Sequence, residues 1–445
     1  PSANVTAQTR SCADKAPEAL FFAVCPAFCA RGIFVCEMGC EMTDVPETAD
    51  IVIVGGAVMG SSIAYHLASH PQFSGSILVV EKDPTYARAA SALSAASIRQ
   101  QYSSAINIRI SLFGITFLRD IGRHLQVDGE APVIDLHEGG YLYLASEAGR
   151  PVLADNHAVQ KQEGADIAWF DQEGLAAQFP WLRVEDLVCG TWGRSGEGWF
   201  DGWALMQAFR RKARSLGVGY VKDAVVGIEK NGPAVCGVTL ASGTRIGCGL
   251  VINAAGAQGQ QIAAMAGIDI PVVPKKRFVY SFHCKTPLQG VPLLIDPSGA
   301  WCRPEGPPDA SGQLFIGSTG PCEGDEDPAM AEDDFEVDPH LFEERIWPAL
   351  AHRIPAFEEI RPARAWAGPY DMNLFDHNAL IGPVEGVKGF LLANGFSGHG
   401  LQQSPAVGRG IAEYALTGAY QTLDLSDLSF ARLAAQRPVL EKCVI

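Results

Sequence analysis

The residues whose types and spacing can do chemistry begin at Gly55. The run Gly55-Gly56-Ala57-Val58-Met59-Gly60 follows a continuous β-branched stretch, Ile51 to Val54. It precedes Ser61 to Ser69, where Ile63, Ala64, Leu67 and Ala68 have helical spacing. A second apolar run, Ile77 to Val80, ends in Glu81 with Lys82 beside it. A glycine turn opening a helix lets backbone N–H groups approach a pyrophosphate where the helix dipole favours anions, and an acid ending the second strand accepts hydrogen bonds from a ribose. The β-α-β spacing predicts a dinucleotide site. Ala57 departs from the G-x-G-x-x-G pattern at its middle glycine, and its methyl group narrows the approach.

A glycine fingerprint serves NAD and FAD alike, so distant segments decide between them. Gly389 to Ala393 reads as a buried strand leading into Asn394-Gly395-Phe396-Ser397-Gly398-His399-Gly400, and Ser404-Pro405 reads as the N-cap and first residue of a helix running to Leu416. A glycine-rich loop aimed by a helix N-terminus suits the pyrimidine end of a flavin, where reduction places negative charge. A nicotinamide enzyme has no need of it, so FAD is the expected cofactor. Cys25, Cys29, Cys36 and Cys40 form a C-x3-C-x6-C-x3-C array, and four thiolates can hold zinc or an iron–sulfur cluster. Against that, residues 1–41 read as a disordered or non-native extension, because Met42 stands just before the first strand signal. No metal is assigned.

The elements that must position these residues need a large core. The chain has 445 residues, 47% hydrophobic and 19% charged, which excludes wholesale disorder. Lys plus Arg is 34 and Asp plus Glu is 50, so the net charge of −16 repels phosphate backbones and excludes nucleic acid as a partner. Ala19 to Ala30 is too short to span a bilayer and contains Pro26, so no transmembrane anchor is expected. The scattered later cysteines read as reduced thiols, which points to the cytoplasm or, in a eukaryote, the mitochondrial matrix. Leu250 to Ala255 is another buried strand, followed by Gly256 and preceded by a hairpin at 237–249. Short strands at 140–146, 272–283, 300–303 and 314–317 read as an inserted antiparallel sheet, the first of them half-exposed. The acidic run Glu323 to Glu336 reads as a solvated loop and helix start. The fold class is therefore α/β. A Rossmann-like FAD-binding domain (42–135, 196–271 and 366–430) carries an inserted antiparallel-sheet substrate domain (136–195 and 272–365), and a C-terminal tail covers 431–445.

From about Asp50 onward the motifs IVIVGGAVMG, VVEKD, SALSAASIRQQYS, GWFDGWALMQAFRRKA, VINAAGA, PKKRFV and ANGFSGHGLQQSPAVGRGIAE resemble the D-amino-acid oxidase superfamily of flavoproteins, which includes the glycine and sarcosine oxidases. WAGPYDMNLFDHNALIGP and YQTLDLSDLSF resemble a mitochondrial subgroup associated with respiratory complex I assembly, and its bacterial relatives. The resemblance implies a nucleotide domain of glutathione-reductase type. It places Gly55, Gly56 and Gly60 around the pyrophosphate, Glu81 at the adenosine ribose, and Ser91 and Ser94 beside the phosphates and ring. By the same resemblance Val225 faces the adenine, Ala255 and Gly256 line the nucleotide, and Gly395 to Gly400 face the isoalloxazine.

The implied reaction takes a hydride from the carbon beside the nitrogen of a secondary amine or amino acid to the flavin, giving an imine that hydrolyses. Arg99 stands where the sarcosine oxidases place an arginine for the substrate carboxylate, and Arg303 stands on a strand that in relatives reaches over the flavin; the alternative for each is a structural ion-pair partner or a surface residue. His399 reads as a flavin- or amine-poising group, or as a loop histidine bonded to backbone. The sarcosine oxidases carry a lysine that assists oxygen where this chain has Leu314-Phe315-Ile316-Gly317, and a substrate-binding lysine where it has Gln402. The first departure implies a dehydrogenase passing electrons to a quinone or carrier flavoprotein rather than a fast oxidase. Ala367-Gly368-Pro369-Tyr370 lacks their flavin-linking cysteine, so FAD is expected to be noncovalent. The alternative reading is a flavin-binding assembly or stability factor for a respiratory complex, with little or no turnover.

Overall fold

The computed structural model describes residues 45–321 and 327–442. The 1–41 extension and its cysteine array lie outside the described residues. β1 (Ile51–Val54), α1 (Val58–Ala68) and β2 (Ile77–Glu81) form the expected unit, and β1 lies between β2 and Leu250–Asn253, parallel to both. Gly219–Lys222 extends this sheet beyond β2, and Val387–Asn394 extends it beyond Leu250–Asn253, again in parallel. Antiparallel strands complete nine in all. A strand covered on both faces needs apolar side chains throughout, which is why β1 and β2 read as continuous Ile, Leu and Val.

α1 reaches the sheet through Gly60, where a Cβ would collide with the Gly55 carbonyl oxygen. On its other side it packs against the helix Gly400–Thr417, where a Cβ at Gly408 would collide with the Ser62 hydroxyl. That long helix starts at Gly400 and contains Pro405, so Ser404-Pro405 is not its N-terminus. The proline removes the donor that the Leu401 carbonyl would otherwise receive; the Ser404 hydroxyl supplies one instead, at 2.9 Å. The Ser404 carbonyl is taken by Ser62 Oγ at 2.7 Å.

The second sheet has eight strands, in the order Ile360–Asn373, Val272–Cys284, Gln313–Thr319, Ala300–Pro304, Leu293–Ile295, Tyr141–Ala145, Cys189–Gly193 and Ile167–Asp171. Ile360–Asn373 pairs with Val272–Cys284 along its whole length, so this sheet continues past residue 366. Tyr141–Ala145 is buried at every position rather than half-exposed. Leu142 and Leu144 join one core with Phe179, while Tyr141 and Tyr143 join a second core with Trp199.

The described part of the acidic run is neither helical nor simply solvated. The next helix begins at Pro339. Glu332 pairs with Lys82, Asp333 with Arg88, Asp334 with Lys276 and Asp327 with Arg277. Backbone bonds from Lys276 to Pro328 and from Met330 to Pro274 fasten the segment as a strap. Among the described residues no helix is long and apolar enough to cross a membrane, and no cluster of His, Cys, Asp or Glu is arranged to hold a metal.

Candidate active site

A cavity of about 870 Å³ is lined by residues from both sheets. Its nucleotide wall is built by the β1–α1 turn. Gly55 adopts φ +97°, in the left-handed region that favours glycine, and a side chain there would run into the Ala254 carbonyl. Ala57 is the N-cap of α1 and offers no side-chain oxygen, which leaves first-turn amides for an anion. Ala57, Val58 and Met59 line the cavity, and Val58 N–H also reaches Ser91 Oγ at 3.4 Å. Glu81 accepts the Gly56 amide on Oε2 and the Asp83 amide on Oε1, both at 2.8 Å. Burial raises its carboxyl above the ordinary range. Lys82, Ser94, Val225, Ala255 and Gly256 also line the cavity. Tyr86 lines it too, with its hydroxyl buried and unbonded.

The loop before the long helix is held by Asp371. Its Oδ2 accepts the amides of Gly395 and Phe396, each at 3.0 Å, and its carbonyl accepts the Ser397 amide at 3.1 Å. Ser397 sits at φ +48°, and its hydroxyl receives the Asn373 amide at 3.0 Å. Burial pushes Asp371 up to about 6. A side chain at Gly398 would collide with the Tyr370 ring. Phe396, Gly398, His399, Gly400 and Gln402 line the cavity, so a second helix N-terminus reaches it. Gly56, Gly60, Gly395 and Ser397 shape the backbone without lining the cavity.

Arg99 is 3% exposed and lines the same cavity. Its Nη1 donates to the Gln101 carbonyl at 3.1 Å and bonds the Tyr143 hydroxyl. Its Nη2 lies 2.9 Å from His399 Nε2, and its guanidinium stands 4.3 Å over the Tyr102 ring. A guanidinium can only donate, so His399 Nε2 is the acceptor and the imidazole is neutral. Burial, and then the Arg99 charge, push His399 well below the ordinary histidine range. Gln402 takes the Arg99 amide on Oε1 at 2.9 Å and donates from Nε2 to the Tyr102 hydroxyl at 2.6 Å. It therefore ties the long helix to the arginine-bearing turn.

Arg303 does not line the cavity. Its guanidinium donates to Glu305 at 2.5 Å, the Pro304 carbonyl at 2.9 Å and the Ala95 carbonyl at 2.7 Å, and it stacks on Trp199. Those are the bonds of a structural tie. Phe315 packs in a buried aromatic cluster with Phe282 and Phe357 and is likewise not a cavity residue. The second-sheet wall is instead Tyr141, Val279, Leu293, Trp301 and Ser318, with Arg277 held by Asp327. Tyr102 and Asp371 lie within segments that carry the family resemblance, and Tyr141 and Tyr143 within the strand read at 140–146, yet their types have no distinctive spacing.

Two helix N-termini with amides to spare, glycines whose side chains would fill the space, and a buried acid at the end of β2 fit a dinucleotide bearing a second ring system. Residues 50–414 match the family described as FAD dependent oxidoreductase, DAO. The chain belongs to the DAO family. Within that family it is 43% identical over 433 residues to FAD-dependent oxidoreductase domain-containing protein 1 of Xenopus laevis, covering 90% of this chain and 85% of that protein. It is 25% identical over 394 residues to the mitochondrial dimethylglycine dehydrogenase of Mus musculus, covering 84% of this chain and 43% of that protein. L-proline dehydrogenase from P. horikoshii superposes with a TM-score of 0.75 at 25% identity, covering 88% of this chain and 100% of that one. The DAO family is FAD-dependent.

Proposed function

We propose that this DAO-family chain oxidises the C–N bond of a secondary amine or amino acid that carries a carboxylate, using noncovalent FAD. The single observation behind the reading is Arg99, a buried guanidinium on the cavity wall beside the N-terminus of the long helix. When bound, FAD supplies the acceptor for the hydride on the carbon beside the substrate nitrogen; the imine product hydrolyses in water.

In this reading the nine-stranded sheet carries the FAD and the eight-stranded sheet the substrate. Gly55, the first-turn amides of α1, Glu81, Val225 and the loop 395–400 hold the cofactor. Arg99 attracts the carboxylate by its charge and orients it by hydrogen bonding. Gln402 and Tyr143 hold Arg99 in place, while Tyr141, Leu293 and Trp301 keep water from the reacting carbon. His399 stays neutral and accepts from Arg99, so its role is to orient the guanidinium. Dimethylglycine and proline, the compounds in two relatives' names, each join an amine nitrogen to a carboxylate. No described cysteine lines the cavity, which favours noncovalent FAD. In this reading a quinone or carrier flavoprotein is the electron acceptor, because the segment Leu314-Phe315-Ile316-Gly317 offers no lysine to assist oxygen. The cytoplasm, or the mitochondrial matrix of a eukaryote, is the compartment consistent with this reading.

Anaerobic mixing with N-methyl amino acids, cyclic imino acids and D-amino acids tests it through flavin bleaching. Acid precipitation should release the flavin. A full panel without bleaching would transfer the weight to a flavin-binding assembly or stability factor for a respiratory complex.

A further inference from the structure

The wall that the eight-stranded sheet turns to the cavity is one pleated face. Residues paired across neighbouring strands point to the same side, so the register fixes its members. Tyr143, which bonds Arg99, pairs with Ile295; Ile295 pairs with Trp301, and Trp301 with Ser318. Two positions along, Tyr141 pairs with Leu293. Tyr280 pairs with Gly317, which sets Val279 beside Ser318. Tyr141, Leu293, Trp301, Ser318 and Val279 all line the cavity. With strands about 4.8 Å apart, Trp301 stands two spacings, about 10 Å, from the tyrosine that holds Arg99, and Leu293 stands one spacing from Tyr141. A carboxylate with a large side chain can bridge that distance.

The polar groups of this face are turned to other tasks. Ser318 Oγ donates to the Phe278 carbonyl at 2.5 Å, and the Tyr141 hydroxyl reaches toward Ser97, two residues before Arg99. Arg277, on the same strand as Val279, donates to Asp327 at 2.6 Å and 3.3 Å and lies over the Tyr370 ring. Arg303, on the same strand as Trp301, does not line the cavity. Leu293, Trp301 and Val279 themselves offer no charge and no hydrogen-bond acceptor. A charged side chain brought against them would shed water without replacement bonds. An apolar one would gain about fourfold in affinity for each methylene buried.

We propose that the substrate carries a large apolar substituent, branched aliphatic or aromatic, on the carbon beside its carboxylate, and that Leu293, Trp301 and Val279 form the pocket that takes it. This rests on the reading of Arg99 as the carboxylate anchor. Leu293 is 3% exposed and Val279 8%, so both form the floor of the pocket. Trp301 is only half-buried, has the most surface left to cover, and is the specificity-determining residue. A small substrate such as N-methylglycine leaves that surface uncovered. A dicarboxylic one sets its second charge against it.

The test titrates the FAD-loaded full chain, through the flavin absorbance, with carboxylates that lack the amine: acetate, 3-methylbutanoate, 3-phenylpropanoate, succinate and 6-aminohexanoate. The Kd for 3-methylbutanoate and 3-phenylpropanoate should lie at least about tenfold below that for acetate, while succinate and 6-aminohexanoate gain nothing over it. Trp301→Ala should shrink the ratio of the acetate Kd to the 3-phenylpropanoate Kd by about tenfold. Anaerobic flavin reduction should follow the same order, with N-methylleucine and N-methylphenylalanine ahead of N-methylglycine. No gain over acetate, an equal gain for succinate, or a ratio unchanged in W301A would overturn the proposal. If W301A fails to hold FAD, the wild-type series decides alone. Binding of acetate without preference for the apolar acids removes only this proposal. Failure of every carboxylate to bind, 3-phenylpropanoate included, removes the Arg99 reading as well.

Discussion

Replacing Arg99 with lysine tests the carboxylate anchor most directly. The native guanidinium is aimed by the Gln101 carbonyl at 3.1 Å, by the Tyr143 hydroxyl, by His399 Nε2 at 2.9 Å and by the Tyr102 ring 4.3 Å beneath it. An ammonium keeps the charge but has no planar fork, so it can satisfy the cage or the carboxylate and not both. Losing one charge-assisted hydrogen bond costs about 1.5–3 kcal/mol. At about 1.4 kcal/mol per decade, that is a rise in Kd for acetate of about 10- to 150-fold. Bleaching by an active substrate should slow as well, because the reacting carbon is no longer held at one angle. FAD content should not change, since the proposed reading gives the cofactor to the β1–α1 turn, Glu81 and the loop 395–400. The assay pairs an absorbance titration with anaerobic stopped-flow reduction. Unchanged acetate affinity and unchanged bleaching, with full flavin occupancy, would refute the assignment.

Gly60→Val drives a branched side chain into the Gly55 carbonyl oxygen, so the purified protein should be colourless; stoichiometric 450 nm absorbance would contradict the turn geometry. Asp376→Ala strands Arg432, whose buried guanidinium Nε donates to Asp376 at 2.7 Å, and also the Asn378 and Val439 amides that the same carboxylate accepts, and should lower stability to urea by about 3–5 kcal/mol. A loss no larger than that of a surface pair would mean the site admits water. Glu332→Gln with Asp333→Asn frees Lys82 and Arg88 from the strap; these exposed pairs are worth at most about 1 kcal/mol each, so FAD release into a trapping apoprotein should quicken only severalfold and lose salt sensitivity. Release that ignores salt in wild type would exclude the strap from cofactor exchange. Arg353 holds Asp186 down to about 2, so the pair's stabilisation is complete above the usual aspartate range and is lost as pH falls through about 2. Asp186→Asn should remove that acid-limb slope in thermal melts, by less than about 2 kcal/mol because the carboxylate is half exposed.

What could be read from the amino acids was what the backbone demands. The glycine turn, the parallel strands and the loop 395–400 each require residue types that little else requires, and all stand where their spacing placed them. The misreadings share a cause in side-chain direction. Ser404-Pro405 has the composition of a helix start, but the serine hydroxyl fills the bond the proline removes, so the helix runs through it. Tyr141–Ala145 alternates as though one face met water, yet both faces meet cores. Phe315 lies by position where relatives carry a lysine, but its ring turns into an aromatic cluster away from the cavity. Glu197 and Asp371 are bonded by backbone amides, which leave no mark on residue spacing.

The neighbours of β1 come from residues 77–81 on one side and 250–253 on the other, and the next strand outward from 387–394. No contiguous stretch of the chain therefore contains the whole cleft. During synthesis the first glycine turn must wait for the loop at 395–400, emerging hundreds of positions later, before it has anything to enclose. Such non-local pairing is slow, and it leaves apolar strands unprotected in the interval. The ligand that binds only the completed cleft then draws the folding equilibrium forward by mass action. Cellular abundance of this protein should accordingly follow flavin supply, with riboflavin depletion lowering its amount before it lowers the activity of each surviving molecule.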